Sequence, residues 1–121
     1  MISGEAKVLV VEDEPDFRNL VAHELGEEGY GVSVACDGLA ALTCLAETEY
    51  DVVVTDVRMP GASGLAVLDA LGAARPPFIV MTAAGDEAVR GEARRLGAIG
   101  LLDKPFLPAE LSLLLEDMLP G

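Results

Sequence analysis

Residues 7–13 have the sequence Lys-Val-Leu-Val-Val-Glu-Asp, a short apolar run that ends on two acids. A run of this length can be a buried strand or part of a buried helix, but its charged boundary and the helix-like stretches between this run and the later ones favour a strand. A strand without polar alternation is covered on both faces, and this is typical of the centre of a parallel sheet. The stretch therefore predicts a central parallel strand with two carboxylates at its carboxyl end.

Three further apolar runs also end on polar residues. They are residues 52–54 before Thr55 and Asp56, residues 78–81 before Thr82, and residues 101–102 before Asp103 and Lys104. Helix-like stretches lie between the runs, and residues 32–36 add a strand candidate nearer the sheet edge. Repeated β–α units with right-handed crossovers predict an α/β fold. We expect a doubly wound three-layer α/β/α sandwich whose five-stranded parallel sheet has the flavodoxin-like order 2-1-3-4-5.

Size and charge limit the class of protein. A chain of 121 residues predicts one domain over residues 1–121, with a core that needs no disulfide or metal. No apolar stretch approaches the roughly 20 residues of a membrane span, and the N-terminus shows no apolar signal segment, so we expect a cytoplasmic protein without membrane contact. The formal net charge of −13 argues against direct nucleic-acid binding, which depends on basic side chains.

Two patterns predict how individual side chains pack. Cys36 at the end of a strand and Cys44 in a helical stretch are expected to be small core hydrophobes rather than a disulfide or metal pair. In the second helix, the spacing of Leu39, Leu42 and Leu45 predicts that these leucines face the sheet.

The carboxyl ends of parallel strands meet at one edge of a sheet, so the polar strand ends should lie close together. The crowding of three carboxylates, Glu12, Asp13 and Asp56, would raise the proton affinity of at least one unless a cation lies among them. Mg²⁺ suits such a set, and Mn²⁺ could substitute. Taken alone, Glu12 and Asp13 could equally be exposed acids that cap the next helix. The addition of Thr82 and Lys104 at the same edge favours metal-dependent phosphoryl chemistry.

The residue types at this edge suit phosphoryl transfer. Asp56 is the candidate nucleophile, because an ionised carboxylate can attack phosphorus to give an acyl phosphate. Lys104 supplies a compact charge that can pair with Asp56 at rest and with phosphoryl oxygens afterwards. Thr82 can donate its hydroxyl to a phosphoryl oxygen. Phosphoryl transfer requires mainly positioning and charge neutralisation, which these groups supply.

Four sequence blocks resemble the signatures of receiver domains of bacterial two-component response regulators. They are Val-Glu-Asp-Glu-Pro at 11–15, Val-Val-Thr-Asp-Val-Arg-Met-Pro-Gly at 53–61, Val-Met-Thr-Ala at 80–83 and Asp-Lys-Pro-Phe at 103–106. The similarity covers essentially the whole chain in the family's order. It implies a signalling module, not a metabolic enzyme, that takes phosphate from a sensor histidine kinase or phosphotransfer protein. The phosphorylated state would act on an unknown downstream protein or output domain.

The resemblance also implies roles for single residues. Asp56 would be the phosphoacceptor, and Asp13 would bind magnesium directly beside Asp56 and the backbone carbonyl of Arg58. Glu12 would complete the acidic pair, at a position where the family more often has Asp.

The remaining family positions concern the response to phosphorylation. Thr82 would be the switch hydroxyl and Lys104 the lysine of the family pattern, followed by a cis peptide before Pro105. Three residues before that lysine the family usually has Tyr or Phe, and here Leu101 stands there. We therefore expect an altered or weaker signal on the face formed by helix four, strand five and helix five.

Three other functions compete with this interpretation. A phosphatase of the haloacid dehalogenase type typically has a second Asp two residues after its nucleophile, where this chain has Arg58. A flavin or dinucleotide binder needs a phosphate-binding loop after strand one, where the acidic residues 12–14 would repel phosphate. A receiver fold that only contacts other proteins, without phosphorylation, would not need Asp56, Thr82 and Lys104.

Overall fold

The computed structural model of the protein describes residues 5–56, 64–83 and 86–119. Strands and helices alternate through these residues. The strands are β1 Lys7–Val11, β2 Gly31–Ala35, β3 Val52–Asp56, β4 Phe78–Ala83 and β5 Gly100–Lys104. The helices are α1 Pro15–Glu27, α2 Gly38–Glu47, α3 Gly64–Leu71, α4 Glu87–Leu96 and α5 Pro108–Met118, and a 3-10 turn, Gly72–Ala74, follows α3.

The strands form one parallel sheet in the order β2-β1-β3-β4-β5. β1 pairs on one side with β2 and on the other with β3, so the apolar run at residues 7–11 lies inside the sheet. Every side chain of β3 is buried, as expected for a strand covered on both faces. The predicted fold class and strand order are therefore confirmed.

Side chains alternate between two core layers because successive residues of a strand point to opposite faces. We call the side with α1 and α5 the α1–α5 layer; it contains Val8 and Val10 of β1 together with Val21 and Leu111. We call the other side the α2–α4 layer; its buried members from the strands and helices are Leu9, Val11, Ala35, Val53, Phe78, Val80, Ala41, Leu68, Ala93 and Leu96. This alternation decides which face each strand-end residue occupies.

Local capping groups explain where helices begin and end. The Glu14 carboxylate accepts a hydrogen bond from the backbone N–H of Phe17, and Pro15 follows at the start of α1. Asp37 caps α2 through the N–H of Ala40 at 2.8 Å. α4 ends at Leu96, and Gly97 after it has a φ of 91°, in the left-handed region that favours glycine. None of the helices in the described residues combines the length and apolar character needed to cross a membrane.

Two packing predictions are wrong in part. The buried residues of α2 are the small Gly38 and Ala41, whereas Leu39 is 66% and Leu42 is 38% exposed. α2 is apolar around most of its circumference, so the spacing of its leucines did not identify the face that packs on the sheet. Of the three leucines predicted to face inward, only Leu45 packs against the core. Cys36 lies just beyond β2 and is exposed, while Cys44 is half-buried against the α2–α4 layer.

Candidate functional site

The carboxyl ends of β1, β3 and β5 bring three charged side chains into direct contact. The Lys104 Nζ donates to Glu12 Oε1 at 2.5 Å and to Asp56 Oδ2 at 2.7 Å. Glu12 directly follows β1, Asp56 ends β3 and Lys104 ends β5. By strand alternation all three lie on the α1–α5 face, because Val10, Val54 and Leu102 two residues earlier belong to that layer. The predicted convergence of these residues is therefore present.

Asp13 lies next to this group and adds a third carboxylate. One carboxylate oxygen from each of Glu12, Asp13 and Asp56 lies within 4.8 Å of the others. Glu12 is 1% and Asp56 is 8% exposed, whereas Asp13 is exposed. This set combines two anchored carboxylates with one open to solvent, and its oxygen donors fit a hard divalent cation. Arg58, whose carbonyl the resemblance assigns to the metal, lies outside the described residues.

The charges in the site strongly influence one another. Burial raises the pKa of Glu12, and the negative charge of Asp56 adds to this, while hydrogen bonds from Lys104 and from the Glu14 backbone oppose it. The predicted rise in proton affinity at one carboxylate is thus confirmed, although burial is the larger cause. Burial by itself lowers the pKa of Lys104, but its hydrogen bonds and charge attraction to Asp56 and Glu12 outweigh this, so the pKa is raised. Lys104 therefore remains a cation.

Backbone contacts hold Glu12 in place. Its Oε2 accepts a hydrogen bond from the Glu14 N–H at 3.0 Å, and its carbonyl accepts one from Arg18 Nη1 at 3.3 Å. The Glu12 N–H donates to the carbonyl of Ala35 at 3.0 Å, which extends the β1–β2 pairing to the site. The acid is thus tied to both α1 and β2. No local sequence signal identified the contact with Arg18.

Thr82 and Leu101 lie on the opposite, α2–α4 face. Thr82 is 1% exposed and pairs in register with Asp103. Leu101 pairs with Val80 and is partly buried against the α2–α4 layer. Asp103, two residues after Leu101 on the same face, forms an ion pair with Arg90 of α4. The candidate switch residues Thr82 and Leu101 therefore lie on one face of the sheet, and the charged group of Glu12, Asp56 and Lys104 lies on the other.

Aromatic residues contact the site from the α1–α5 face. The Lys104 Nζ lies 5.1 Å from the centroid of the Phe17 ring. In the sequence, Phe17 lies on the apolar stripe of α1, whose spacing predicts core packing and gives no sign of a nearby charge. The peptide bond between Lys104 and Pro105 is cis, as the family resemblance implied.

The family model for the response regulator receiver domain matches residues 8–116. Among curated proteins, the transcriptional regulatory protein FixJ of Bradyrhizobium diazoefficiens is 34% identical over 117 residues, which are 95% of this chain and 57% of FixJ. The transcriptional regulatory protein TcrA of Mycobacterium tuberculosis is 39% identical over 112 residues, which are 91% of this chain and 44% of TcrA. The chain spans about half the length of these curated relatives.

Two solved structures are similar to this chain over nearly its whole length. The chemotaxis protein CheY4 of Vibrio cholerae has a TM-score of 0.88 at 33% identity, with 96% of this chain and 100% of that chain covered. The response regulator TrrA of Thermotoga maritima, solved in complex with Mg²⁺ and BeF, has a TM-score of 0.82 at 33% identity, with 94% and 99% covered. The chain therefore belongs to the family of response regulator receiver domains, which serve in phosphorylation-based signalling and not in metabolic catalysis.

Proposed function

We propose that Asp56 accepts a phosphoryl group from a phosphohistidine of a sensor histidine kinase or a phosphotransfer protein. The main support is the contact of one ammonium, that of Lys104, with both Asp56 and Glu12 at the carboxyl edge of the sheet. An anchored carboxylate beside a fixed cation is suited to attack on a phosphoryl group, whose own charge the cation offsets. Receiver-domain membership supports the same role.

The proposed reaction exchanges one bond to phosphorus for another. A carboxylate oxygen of Asp56 attacks phosphorus, the bond from phosphorus to the histidine nitrogen breaks, and the imidazole leaves with the bond's electron pair and takes up a proton. The product is an acyl phosphate on Asp56. Water later attacks that phosphorus, which regenerates the carboxylate and releases inorganic phosphate. Lys104 offsets negative charge on the phosphoryl oxygens in both steps.

Magnesium fits the site as a cofactor, and manganese could substitute. Glu12, Asp13 and Asp56 would hold the ion, together with the carbonyl of Arg58 in the undescribed segment. When bound, such an ion neutralises charge on the phosphoryl oxygens. One observation supports the fit: one carboxylate oxygen from each of these three residues lies within 4.8 Å of the others.

We further propose that residues 1–121 act as a single receiver domain that passes the signal to a separate protein or an output domain. The curated relatives are about twice as long as this chain and carry names of transcriptional regulators. The acidic charge of −13 makes direct contact of this domain with nucleic acid unfavourable, so any effect on transcription would come through the output partner. We place the domain in the cytoplasm, where histidine kinases present their phosphohistidine.

Incubation of the protein with acetyl phosphate and Mg²⁺ is expected to add one phosphoryl group, because the site supplies nucleophile and cation without the kinase. Intact-mass spectrometry measures the addition, and EDTA in place of Mg²⁺ is the matched control. Mn²⁺ should restore the modification after chelation. A protein that stays unmodified with either metal would contradict phosphorylation and favour a domain that acts through protein contact alone.

The second prediction concerns Leu101. Leucine has no hydroxyl and less area to bury than a ring, so Thr82 should respond to phosphorylation while α4, β5 and α5 respond weakly. We expect Leu101→Tyr to increase the change in amide exchange on these elements when beryllofluoride and Mg²⁺ are added as a phosphoryl mimic. Thr82→Ala in both backgrounds is the control. A Thr82-dependent change in the natural protein as large as that in Leu101→Tyr would refute the prediction.

A further inference from the structure

Two phenylalanines form an aromatic pair beside the charged site. The rings of Phe17 and Phe106 meet edge to face, with centroids 5.3 Å apart and an interplanar angle of 82°. Phe106 follows Lys104 by two residues, and Phe17 belongs to the first turn of α1. Both pack against the α1–α5 layer. The pair therefore joins the start of α1 to the segment that follows β5.

The backbone of Phe17 is held at the site by an independent contact. Its N–H donates to Glu14 Oε1 at 3.0 Å, the capping hydrogen bond of α1. The Glu14 N–H in turn donates to Glu12. The ring position is therefore coupled through two hydrogen bonds to one of the acids that contacts Lys104.

The Phe17 ring contacts the same ammonium that contacts both acids. The Lys104 Nζ lies 5.1 Å from the ring centroid, within the roughly 6 Å at which a cation is attracted to the ring face. Two of its N–H groups donate to Glu12 and Asp56. A ring attracts the ammonium without accepting a strong hydrogen bond, so it does not draw the amine away from the carboxylates as a third acid would.

Lysine needs such a contact because its four-carbon side chain is flexible and its ammonium is strongly hydrated. The Lys104 side chain is 29% exposed, so water reaches it from one side. A fixed ring limits both the water and the number of rotamers available to the amine. Phosphoryl transfer is sensitive to the position of charged groups, and small displacements are costly in rate.

We propose that Phe17 is a positioning residue that holds the Lys104 ammonium against Asp56 for phosphoryl transfer. The proposal rests on the proposed function of Asp56, but the contact itself can be measured without phosphorylation. The ring acts through Lys104 and does not touch the phosphoryl group. An aromatic residue is thus required where the apolar stripe of α1 alone would accept any large hydrophobe.

The test compares Phe17→Leu, which keeps an apolar side chain, with Phe17→Tyr, which keeps the ring. Val21→Ala is the matched control, because Val21 is a buried residue of α1 whose truncation weakens packing and leaves the ring in place. The first readout is the NMR shift of the Lys104 Hε protons, which a nearby ring face moves upfield. The second is the rate of phosphorylation by acetyl phosphate at saturating Mg²⁺.

Phe17→Leu should abolish the upfield shift and slow phosphorylation about 5-fold, the factor expected for loss of one partly exposed cation–π contact. Phe17→Tyr and Val21→Ala should retain both properties. An unchanged rate in Phe17→Leu, or equal slowing in Val21→Ala, would overturn the positioning role. If the natural protein shows the Lys104 shift but takes up no phosphate, the proposed function fails. The positioning role of Phe17 in phosphoryl transfer then fails with it, although the contact stands.

Discussion

Asp56→Asn is expected to abolish phosphoryl uptake from acetyl phosphate and Mg²⁺. The amide is neutral and its oxygen is a poor nucleophile, so it cannot form the acyl phosphate. The substitution nearly preserves shape and keeps an oxygen that can accept a hydrogen bond from Lys104. Intact-mass spectrometry should show complete loss of the added group.

Asp51→Asn is the matched control for this variant. Asp51 immediately precedes β3, at the end of the strand opposite Asp56, and its carboxylate accepts a hydrogen bond from the backbone of Lys7 at 2.7 Å. It should be phosphorylated like the natural protein. Modification that persists in Asp56→Asn would place the acceptor on another carboxylate, with Asp13 the first to examine because it is exposed beside the site.

Lys104→Met is expected to lower the free energy of unfolding by about 3 kcal/mol at neutral pH without divalent metal. Methionine matches the apolar part of the lysine side chain but leaves the Glu12 and Asp56 carboxylates without the ammonium that contacts both. Breaking a buried ion pair costs about 3–5 kcal/mol, and the lower value applies because the lysine side chain is 29% exposed. Urea unfolding followed by circular dichroism measures the loss. Lys7→Met, an exposed substitution in β1, should change stability by less than about 0.5 kcal/mol.

Low pH and Mg²⁺ should each reduce the loss in unfolding free energy that Lys104→Met causes. Burial already raises the pKa of Glu12 above 4.5, and loss of the lysine should raise it further. A carboxyl with a raised folded-state pKa binds protons more readily when folded, so stability increases as the pH falls through that pKa. Mg²⁺ should stabilise the variant by replacing the lost positive charge. If the loss in unfolding free energy depends on neither pH nor Mg²⁺, lost packing causes it and the lost charge does not.

The site was largely predictable because its residues are strand ends. In a parallel sheet with right-handed crossovers, the carboxyl ends of all strands lie at one edge, so Glu12, Asp56 and Lys104 were expected near one another once the strands were recognised. Apolar runs bounded by polar residues are a local signal, and β1 and β3 show it clearly. The family signatures then assigned roles that spacing alone left open.

Helix faces and aromatic contacts were not predictable in the same way. In α2 the alanines, cysteine and leucines surround much of the helix, so only contact with the sheet decides that Gly38 and Ala41 face inward and Leu39 outward. Cys36 was expected inside, but β2 ends one residue earlier and the thiol is exposed.

The sequence by itself determined the parallel sheet and the set of chemical groups at its edge, because local apolar periodicity and strand-end residues encode both. Only the tertiary structure decided that the Lys104 ammonium contacts Glu12, 92 residues away in sequence, as well as Asp56, the partner that the sequence predicts. It also decided that the ring of Phe17 faces this ammonium. Such contacts depend on the relative placement of separate β–α units, and that placement follows from how helices pack on the sheet, which periodicity within one segment does not specify.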